Sequence, residues 1–194
     1  MTQALSLDPK NTALVLIDLQ HGIVGRELAP YSGSQVVENA VRLAEATRAA
    51  GGTVVFVRVL LTELLQRITD AAPQASNAPP PPAIASELVP EAGVQAGDLV
   101  VTKRQWGAFY GTDLEQQLRR RGIRTIVMAG IATHIGVEST ARAAFDQGYD
   151  LVFIEDAMST MSAEAHQNCV NGVFRLMGHV RSTQEYVEAL GRAV

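Results

Sequence analysis

Cysteine, aromatic residues and long apolar runs are all scarce in this sequence. One of its 194 residues is a cysteine and 5% are aromatic. The single cysteine, Cys169, excludes an internal disulfide, which is typical of proteins from a reducing cytoplasm. No run reaches the roughly 18 apolar residues that span a membrane, and no basic segment followed by an apolar stretch opens the chain. We therefore expect a cytoplasmic protein without a membrane anchor or a signal peptide.

An excess of basic charge is missing as well. The formal net charge is −4 at pH 7, and the one basic cluster, residues 119–121, ends a predicted helix, where cations complement the helix dipole. Zinc-finger spacings, P-loop motifs and Gly-rich dinucleotide fingerprints are not found. We therefore expect no nucleic-acid or membrane partner and no cofactor.

The sequence does contain a regular alternation of apolar runs with stretches of helical periodicity. Hydrophobic residues make up 47% of the chain, and its length fits one domain, residues 1–194. The predicted strands are residues 13–18, 53–59, 98–102, 125–130 and 151–155, with a short one around Val180. Continuous apolar strands that alternate with helices indicate a buried parallel sheet. We predict an α/β, Rossmann-like, three-layer sandwich.

The helices between these strands have recognisable ends. One is predicted from Ser34, as N-cap, to Ala50, and a second begins with a capping box at residues 112–115. Others cover residues 137–147 and begin near Ser162 and Thr183. The helix from Ser162 places several apolar residues and His166 on one face, and Cys169 among them is predicted to be a small buried side chain.

A Pro-rich insert interrupts the alternation at about residues 62–97. It contains four consecutive prolines, residues 79–82, which exclude a helix or a central strand. We predict a long ordered loop with polyproline character. Loops of this length in compact domains often act as lids or contact a partner.

Three polar or unusual positions fall at the carboxyl ends of predicted strands. Asp18 ends the first strand, Lys103 follows the third, and residues 131–136 join the fourth to a helix. Open parallel sheets bind ligands at this edge. An Asp and a Lys there would shift each other's pKa, and a helix N-terminus would supply backbone donors. The alternative readings are a turn or cap residue for Asp18 and a solvated side chain for Lys103.

Four segments resemble the isochorismatase-like hydrolase superfamily. Residues 12–20 resemble its first strand, residues 102–114 its lysine motif, and residues 130–142 its nucleophile segment. Residues 155–157 match the end of its fifth strand. The resemblance implies a six-stranded parallel sheet in the order 3-2-1-4-5-6. It also implies a small-molecule substrate and assembly into homo-oligomers, either dimers or tetramers.

The resemblance also implies roles for the three positions at the sheet edge. Asp18 corresponds to the general acid or base, Lys103 to the residue that holds and charges the site, and a cis peptide bond is implied between Ile131 and Ala132. The family usually has a cysteine nucleophile where this chain has Gly136. Glycine has no side chain with which to attack a substrate.

Three functions remain open on this basis. True isochorismatases also lack the cysteine and carry a stretch resembling residues 134–136; they cleave a vinyl ether and release pyruvate, for which a protonated Asp18 would be the acid. The second possibility is amide or carbamoyl hydrolysis by water that Asp18 activates. The third is a catalytically inert binding or assembly protein on the same scaffold.

The remaining predicted site residues surround these positions. The predicted substrate-binding residues are Gln20, Trp106, Phe109, Ile131, Ala132, His134 and Ile135. Core packing is the alternative for the two aromatic residues, and packing at the helix start is the alternative for His134. Related nicotinamidases carry a metal site after the second strand, but residues 56–60 contain no histidine here. We therefore predict no metal site.

Overall fold

A six-stranded parallel sheet lies at the centre of the computed structural model, which describes residues 5–65, 67–72 and 79–191. The strands are β1 (Thr12–Ile17), β2 (Thr53–Val59), β3 (Leu99–Lys103), β4 (Thr125–Ile131), β5 (Asp150–Ser159) and β6 (Gly178–Arg181). Their order across the sheet is β3-β2-β1-β4-β5-β6, with every neighbouring pair parallel. The predicted α/β fold and strand order are confirmed.

The central strand is β1, which is apolar on both of its faces. It pairs with β2 on one side and β4 on the other, so that Val15 lies opposite both Val55 and Met128. All six residues of β1 are buried. A strand covered on both faces needs a continuous apolar run rather than an alternating one, and the sequence of β1 meets this requirement.

Helices flank the sheet. Those in the described part of the chain are α1 (His21–Val24), α2 (Gly33–Ala49), α3 (Leu114–Arg120), α4 (Glu138–Asp146), α5 (Ala163–Asn168), α6 (Arg175–Met177) and α7 (Thr183–Gly191). The longest, α2, packs against α7 and β5 and buries Val36, Ala40 and Leu43 at helical spacing. Within the described residues, no helix is both long and apolar enough to cross a membrane.

The start of α2 differs from the prediction, because Ser32 rather than Ser34 is its N-cap. The Gln35 backbone N–H donates to Ser32 Oγ at 3.2 Å, and the Ser32 N–H donates to Gln35 Oε1 at 2.9 Å. This reciprocal pair is a capping box, which supplies hydrogen-bond acceptors to two backbone N–H groups at the start of the helix. A serine at residue 34 satisfies the same sequence rule, so only the backbone path distinguishes the two.

The predicted capping box of α3 does not form. The helix begins at Leu114, so that Asp113 is the N-cap, without a side-chain cap hydrogen bond. The Thr112 hydroxyl instead donates to the Ala108 carbonyl oxygen at 2.5 Å. Thr112 Oγ1 also accepts from the N–H of Leu114, the first residue of α3, at 3.2 Å, so the threonine closes the preceding turn and binds one N–H of the helix from outside it.

Helical structure after β4 begins earlier than predicted. A π-helical turn (Thr133–Val137) precedes α4, and a second one (Cys169–Phe174) joins α5 to α6. The strand β5 also extends beyond its predicted end at Glu155, to Ser159. The carboxyl edge of the sheet is consequently longer on this side than the sequence indicates.

The Pro-rich insert is attached to the segment that follows β1. It contains 3₁₀ turns at Leu61–Glu63, Ala83–Ser86 and Pro90–Ala92. The Val89 N–H donates to the Leu19 carbonyl oxygen at 2.9 Å, and the His21 N–H donates to the Glu87 carbonyl oxygen at 3.0 Å. These two hydrogen bonds place the later part of the insert over the carboxyl end of β1. Residues 66 and 73–78 of the insert lie outside the described residues.

Candidate active site

Asp18 directly follows β1 and forms one side of the candidate site. Its φ is 54°, in the left-handed region that residues with a side chain seldom adopt, and its N–H donates to the Val57 carbonyl oxygen in β2 at 2.9 Å. The residue is 5% exposed. Non-glycine residues held in this region cluster at functional sites. The carboxyl group is thus held at the carboxyl edge of the sheet and shielded from bulk water.

Lys103, the last residue of β3, reaches Asp18 past the end of β2. Its Nζ lies 2.9 Å from Asp18 Oδ2 and donates to the Trp106 carbonyl oxygen at 2.6 Å. Lys103 is 1% exposed. Because β2 separates β3 from β1, only a long side chain joins the two strand ends, and lysine supplies both the length and the charge.

Burial and pairing act in opposite directions on Asp18. Burial is the larger effect and raises the pKa of Asp18 to about 6, although the charge and the hydrogen bond of Lys103 lower it. Asp18 Oδ1 is buried and has no hydrogen-bond partner among the described residues. A carboxyl group with one oxygen bound to a lysine and the other without a partner is suited to gain and lose a proton near neutral pH.

Gly136 lies in the π-helical turn (Thr133–Val137) and faces this ion pair. A Cβ atom built on Gly136 would lie 3.1 Å from Asp18 Oδ2 and 3.2 Å from Lys103 Nζ. It would also lie 3.0 Å from the Cγ2 methyl group of Ile17. All three distances are shorter than ordinary van der Waals contact. The carboxylate and the ammonium group therefore approach a bare backbone at Gly136, with little room for a side chain.

These residues share one pocket, with a volume of about 150 Å³. It is lined by Asp18, Ile23, Arg26, Val59, Leu61, Leu64, Lys103, Gln105, Trp106, Ile131, Ala132, Ile135, Gly136 and Met161. Most of the walls are apolar, and the charged members are one acid and two bases. Apolar pockets with a few convergent polar groups are typical of small-molecule sites.

A family profile described as the isochorismatase domain matches residues 12–185, which contain every residue of this pocket. The chain belongs to the isochorismatase family. An uncharacterized isochorismatase family protein of Bacillus subtilis (strain 168) is 50% identical, over 97% of this chain and 98% of its own. The solved structure of an isochorismatase family protein from Burkholderia thailandensis is 43% identical, with a TM-score of 0.89, over 97% of this chain and 100% of its own.

A family member with a named activity is also similar to this chain. The ureidoacrylate amidohydrolase of Variovorax paradoxus (strain S110) is 31% identical, over 98% of this chain and 86% of its own. The prediction that this chain is a member of the isochorismatase-like hydrolases is confirmed. Family membership leaves the substrate open.

Four of the predicted substrate-binding residues of this isochorismatase-family chain line the pocket: Trp106, Ile131, Ala132 and Ile135. Trp106 is 62% exposed, which places its ring at the solvent side of the pocket. The peptide bond between Ile131 and Ala132 is cis, as the resemblance implied.

Gln20 has a structural position instead of the predicted substrate-binding one. Its side chain is fully buried, and its Nε2 donates to the carbonyl oxygens of Val59 and Ser86, each at 2.8 Å. Its Oε1 accepts from the Val59 N–H at 2.8 Å. The amide is thus fully engaged in joining the end of β2 to the Pro-rich insert, and it has no free group for a ligand.

Phe109 and His134 also lie outside the pocket lining. Phe109 is buried against Tyr149, with 6.1 Å between the ring centroids. His134 places its Nδ1 2.7 Å from Thr160 Oγ1, at the end of β5. For both residues the sequence had left packing open as the alternative to substrate binding. Their positions in the structure fit packing.

Arg26, Gln105 and Met161 line the pocket but were not predicted from the sequence. They lie in loops after α1, β3 and β5, where no periodicity indicates which way a side chain points. The only sequence signal for Arg26 and Gln105 is their closeness to Asp18 and Lys103 along the chain.

A chain of hydrogen bonds lies behind the pocket and holds the turn that contains Gly136. Thr133 Oγ1 and His166 Nδ1 are 2.9 Å apart, and His166 Nε2 lies 3.3 Å from Glu155 Oε1. The Tyr31 hydroxyl donates to the same carboxylate oxygen at 3.0 Å. The hydrogen bond with His166 is the main cause that lowers the pKa of Glu155, so the carboxylate stays charged. The network ties the π-helical turn to β5 and α5.

Cys169, the single cysteine, lies outside the pocket and does not replace the missing nucleophile. It is 4% exposed, and its thiol donates to Glu138 Oε2 at 2.8 Å. Burial, with the hydrogen bond and charge of Glu138, raises the pKa of Cys169 to about 12. The thiolate, which is the nucleophilic form, is therefore scarce at neutral pH.

In the described part of the chain, no group of three or more His, Cys, Asp or Glu residues could hold a metal ion.

The contacts of Gly136 lead to a prediction for Gly136→Cys. We expect its thiol to react with iodoacetamide about tenfold faster at pH 7 than an ordinary surface thiol, because the Lys103 ammonium group favours the thiolate and the adjacent Asp18 carboxylate can accept the thiol proton. The measurement is the alkylation rate of each thiol by mass spectrometry. Cys169 is an unreactive internal reference in the same protein.

The matched control for this experiment is Gly172→Cys. A Cβ at Gly172 has no atom within 4 Å, so its thiol is free of both the ion pair and steric crowding. The pH dependence of alkylation separates activation from crowding, because crowding slows the reaction equally at every pH. If the thiol of Gly136→Cys titrates at no lower pH than that of Gly172→Cys, the site does not activate nucleophiles.

Proposed function

We propose that this protein cleaves the vinyl ether of a small, isochorismate-like metabolite without using a cysteine nucleophile. The observation that carries the proposal is that the Asp18–Lys103 ion pair crowds the space that a side chain at Gly136 would need. The site has a buried carboxyl group, that of Asp18, with a pKa raised to about 6, but it has no thiol at residue 136. Vinyl-ether hydrolysis needs an acid and water but no nucleophile from the protein.

The proposed reaction begins with a proton on Asp18 Oδ1, the oxygen without a protein partner. Transfer of that proton to the terminal vinyl carbon leaves an oxocarbenium ion on the substrate. Lys103 stays bound to Asp18 Oδ2 and stabilises the carboxylate that forms. Water adds to the cationic carbon and returns a proton to Asp18. The hemiketal that forms then breaks its bond to the ring oxygen, and the proton of its hydroxyl group passes to that oxygen. The products are pyruvate and the ring alcohol.

Amide or carbamoyl hydrolysis is the second candidate function. It is favoured by the 31% identity to the ureidoacrylate amidohydrolase of Variovorax paradoxus. In this case Asp18 acts as a general base that removes a proton from the attacking water, and backbone N–H groups of the π-helical turn stabilise the oxyanion. The two reactions therefore require opposite protonation states of the same carboxyl group.

The pH dependence of turnover distinguishes the two candidates. With isochorismate as substrate, we expect kcat/KM for pyruvate release to be highest below about pH 6 and to fall about tenfold per pH unit above it, because only protonated Asp18 is an acid. An assay coupled to lactate dehydrogenase measures this between about pH 5 and pH 9. Ammonia release from ureidoacrylate that rises to a plateau above about pH 6 would support the base mechanism and contradict the acid mechanism.

Four predictions about the protein as a whole come from the sequence alone, and the geometry of the site does not bear on them. A cytoplasmic location, activity without a metal ion, a single domain over residues 1–194, and assembly into dimers or tetramers stay predictions. The Pro-rich insert remains the proposed contact between subunits.

A further inference from the structure

Arg26 is the one cation of the pocket lining, among the described residues, that has no acidic partner there. The pocket contains a single acid, Asp18, and Lys103 already pairs with it. No ion pair involves Arg26 in the described part of the chain. The charges of Asp18 and Lys103 cancel, so Arg26, a solvent-exposed residue of the lining, gives the pocket a net positive charge.

The segment that carries Arg26 is held at both of its ends. On one side, a Cβ built on Gly22 would lie 2.8 Å from Leu61 Cδ1 and 2.9 Å from Ala85 Cβ, which means that α1 packs directly against the insert. On the other side, Ala29 forms two backbone hydrogen bonds with Thr160, of 2.7 and 3.1 Å. Arg26 therefore projects from a loop of defined position.

The side chain itself is also oriented. Arg26 Nε donates to the Gly22 carbonyl oxygen at 2.9 Å, which turns the guanidinium group relative to its own loop. Its two terminal nitrogens have no partner in the hydrogen bonds of the described residues. Terminal guanidinium nitrogens form a planar pair of donors that matches the two oxygens of a carboxylate.

We infer that Arg26 binds a carboxylate group of the substrate, and that the substrate is a small organic acid with an apolar body. The apolar walls formed by Ile23, Leu64 and Trp106 accept the body, and Arg26 accepts the charge. The inference rests on the proposed function only in that Asp18 marks the reacting end of the pocket. Arg26 is then a residue that selects anionic over neutral substrates.

Binding of benzoate and benzamide tests the inference without any turnover. The two probes share a ring and differ in the charge that Arg26 would recognise. We expect wild-type protein to bind benzoate more tightly than benzamide in NMR titrations, and Arg26→Gln to weaken benzoate binding about tenfold or more while leaving benzamide binding unchanged. Arg175→Gln is the matched control, since Arg175 is an exposed arginine outside the pocket lining and the same charge is lost.

The outcomes separate this inference from the proposed function. Benzoate binding that depends on Arg26, in a protein that releases no pyruvate from isochorismate, supports the carboxylate subsite and contradicts the vinyl-ether reaction. Pyruvate release with the same KM in Arg26→Gln and wild type, or equal benzoate affinity in the two proteins, overturns the subsite. Failure of wild-type protein to bind benzoate overturns it as well. If both proposals hold, Arg26→Gln raises KM for isochorismate about tenfold or more and changes kcat little.

Discussion

The Asp18→Asn variant is expected to lose about 10²- to 10⁴-fold in the rate of substrate hydrolysis, the range that a general acid or base contributes. Asparagine keeps the shape of the side chain but has no proton to give at an ordinary pH and cannot act as a base. The carboxyl group it replaces is buried, has a pKa raised to about 6 by that burial, and faces Gly136 at the end of the pocket. The loss should appear in kcat as well as in kcat/KM, because the proton moves only in the transition state.

The control for this experiment is Asp146→Asn, an exposed position in α4 outside the pocket lining. It removes the same charge and should leave turnover unchanged. Circular dichroism and thermal melting of both variants show whether either has unfolded. Residual activity of folded Asp18→Asn within threefold of wild type would exclude Asp18 from both candidate mechanisms.

The second large effect is expected on stability. We predict that Lys103→Met lowers the free energy of unfolding by about 3–5 kcal/mol at pH 8, because it leaves the buried Asp18 carboxylate without its partner. Burial already disfavours the charged form of Asp18, as its raised pKa shows. The loss should therefore be smaller at pH 5, where the carboxyl group takes up a proton and carries no charge. Urea denaturation at the two pH values measures both effects.

The double variant Asp18→Asn/Lys103→Met tests the cause of this loss. With both charges gone, no buried ion remains unpaired, so the double variant should be more stable than Lys103→Met alone. Lys10→Met is the matched control: Lys10 is exposed, and its replacement should change stability by no more than about 0.5 kcal/mol. Strictly additive losses in the double variant would show that the two groups do not stabilise each other.

The fold was predictable from the sequence because a buried parallel sheet leaves a direct signal in it. The strand β2 was predicted with the bounds that it has, and β1 differs by a single residue at each end. Continuous apolar runs are needed wherever both faces of a sheet are covered, so this pattern depends on burial rather than on any particular contact. Helix starts were less predictable, since Ser32 and Ser34 satisfy the same capping rule and the backbone path decides between them.

Within the candidate site, the sequence by itself determined which residues end the strands. The lengths of the apolar runs placed Asp18 and Lys103 at the ends of their strands. The segment after β4 placed Gly136 at the same edge of the sheet. These positions are local properties of the chain, because the end of an apolar run marks the edge of the sheet. The resemblance to the family added the expected role of each residue, and the cis peptide bond before Ala132.

Only the tertiary structure decided which side chains meet. The 2.9 Å ion pair between Asp18 and Lys103 depends on the order β3-β2-β1 and on a lysine long enough to pass the end of β2. Gln20 turned away from the pocket to bind the backbone of β2 and the insert, while Arg26 entered the pocket lining from a loop. Side-chain direction in such loops has no period in the sequence, because contacts between residues far apart in the chain determine it.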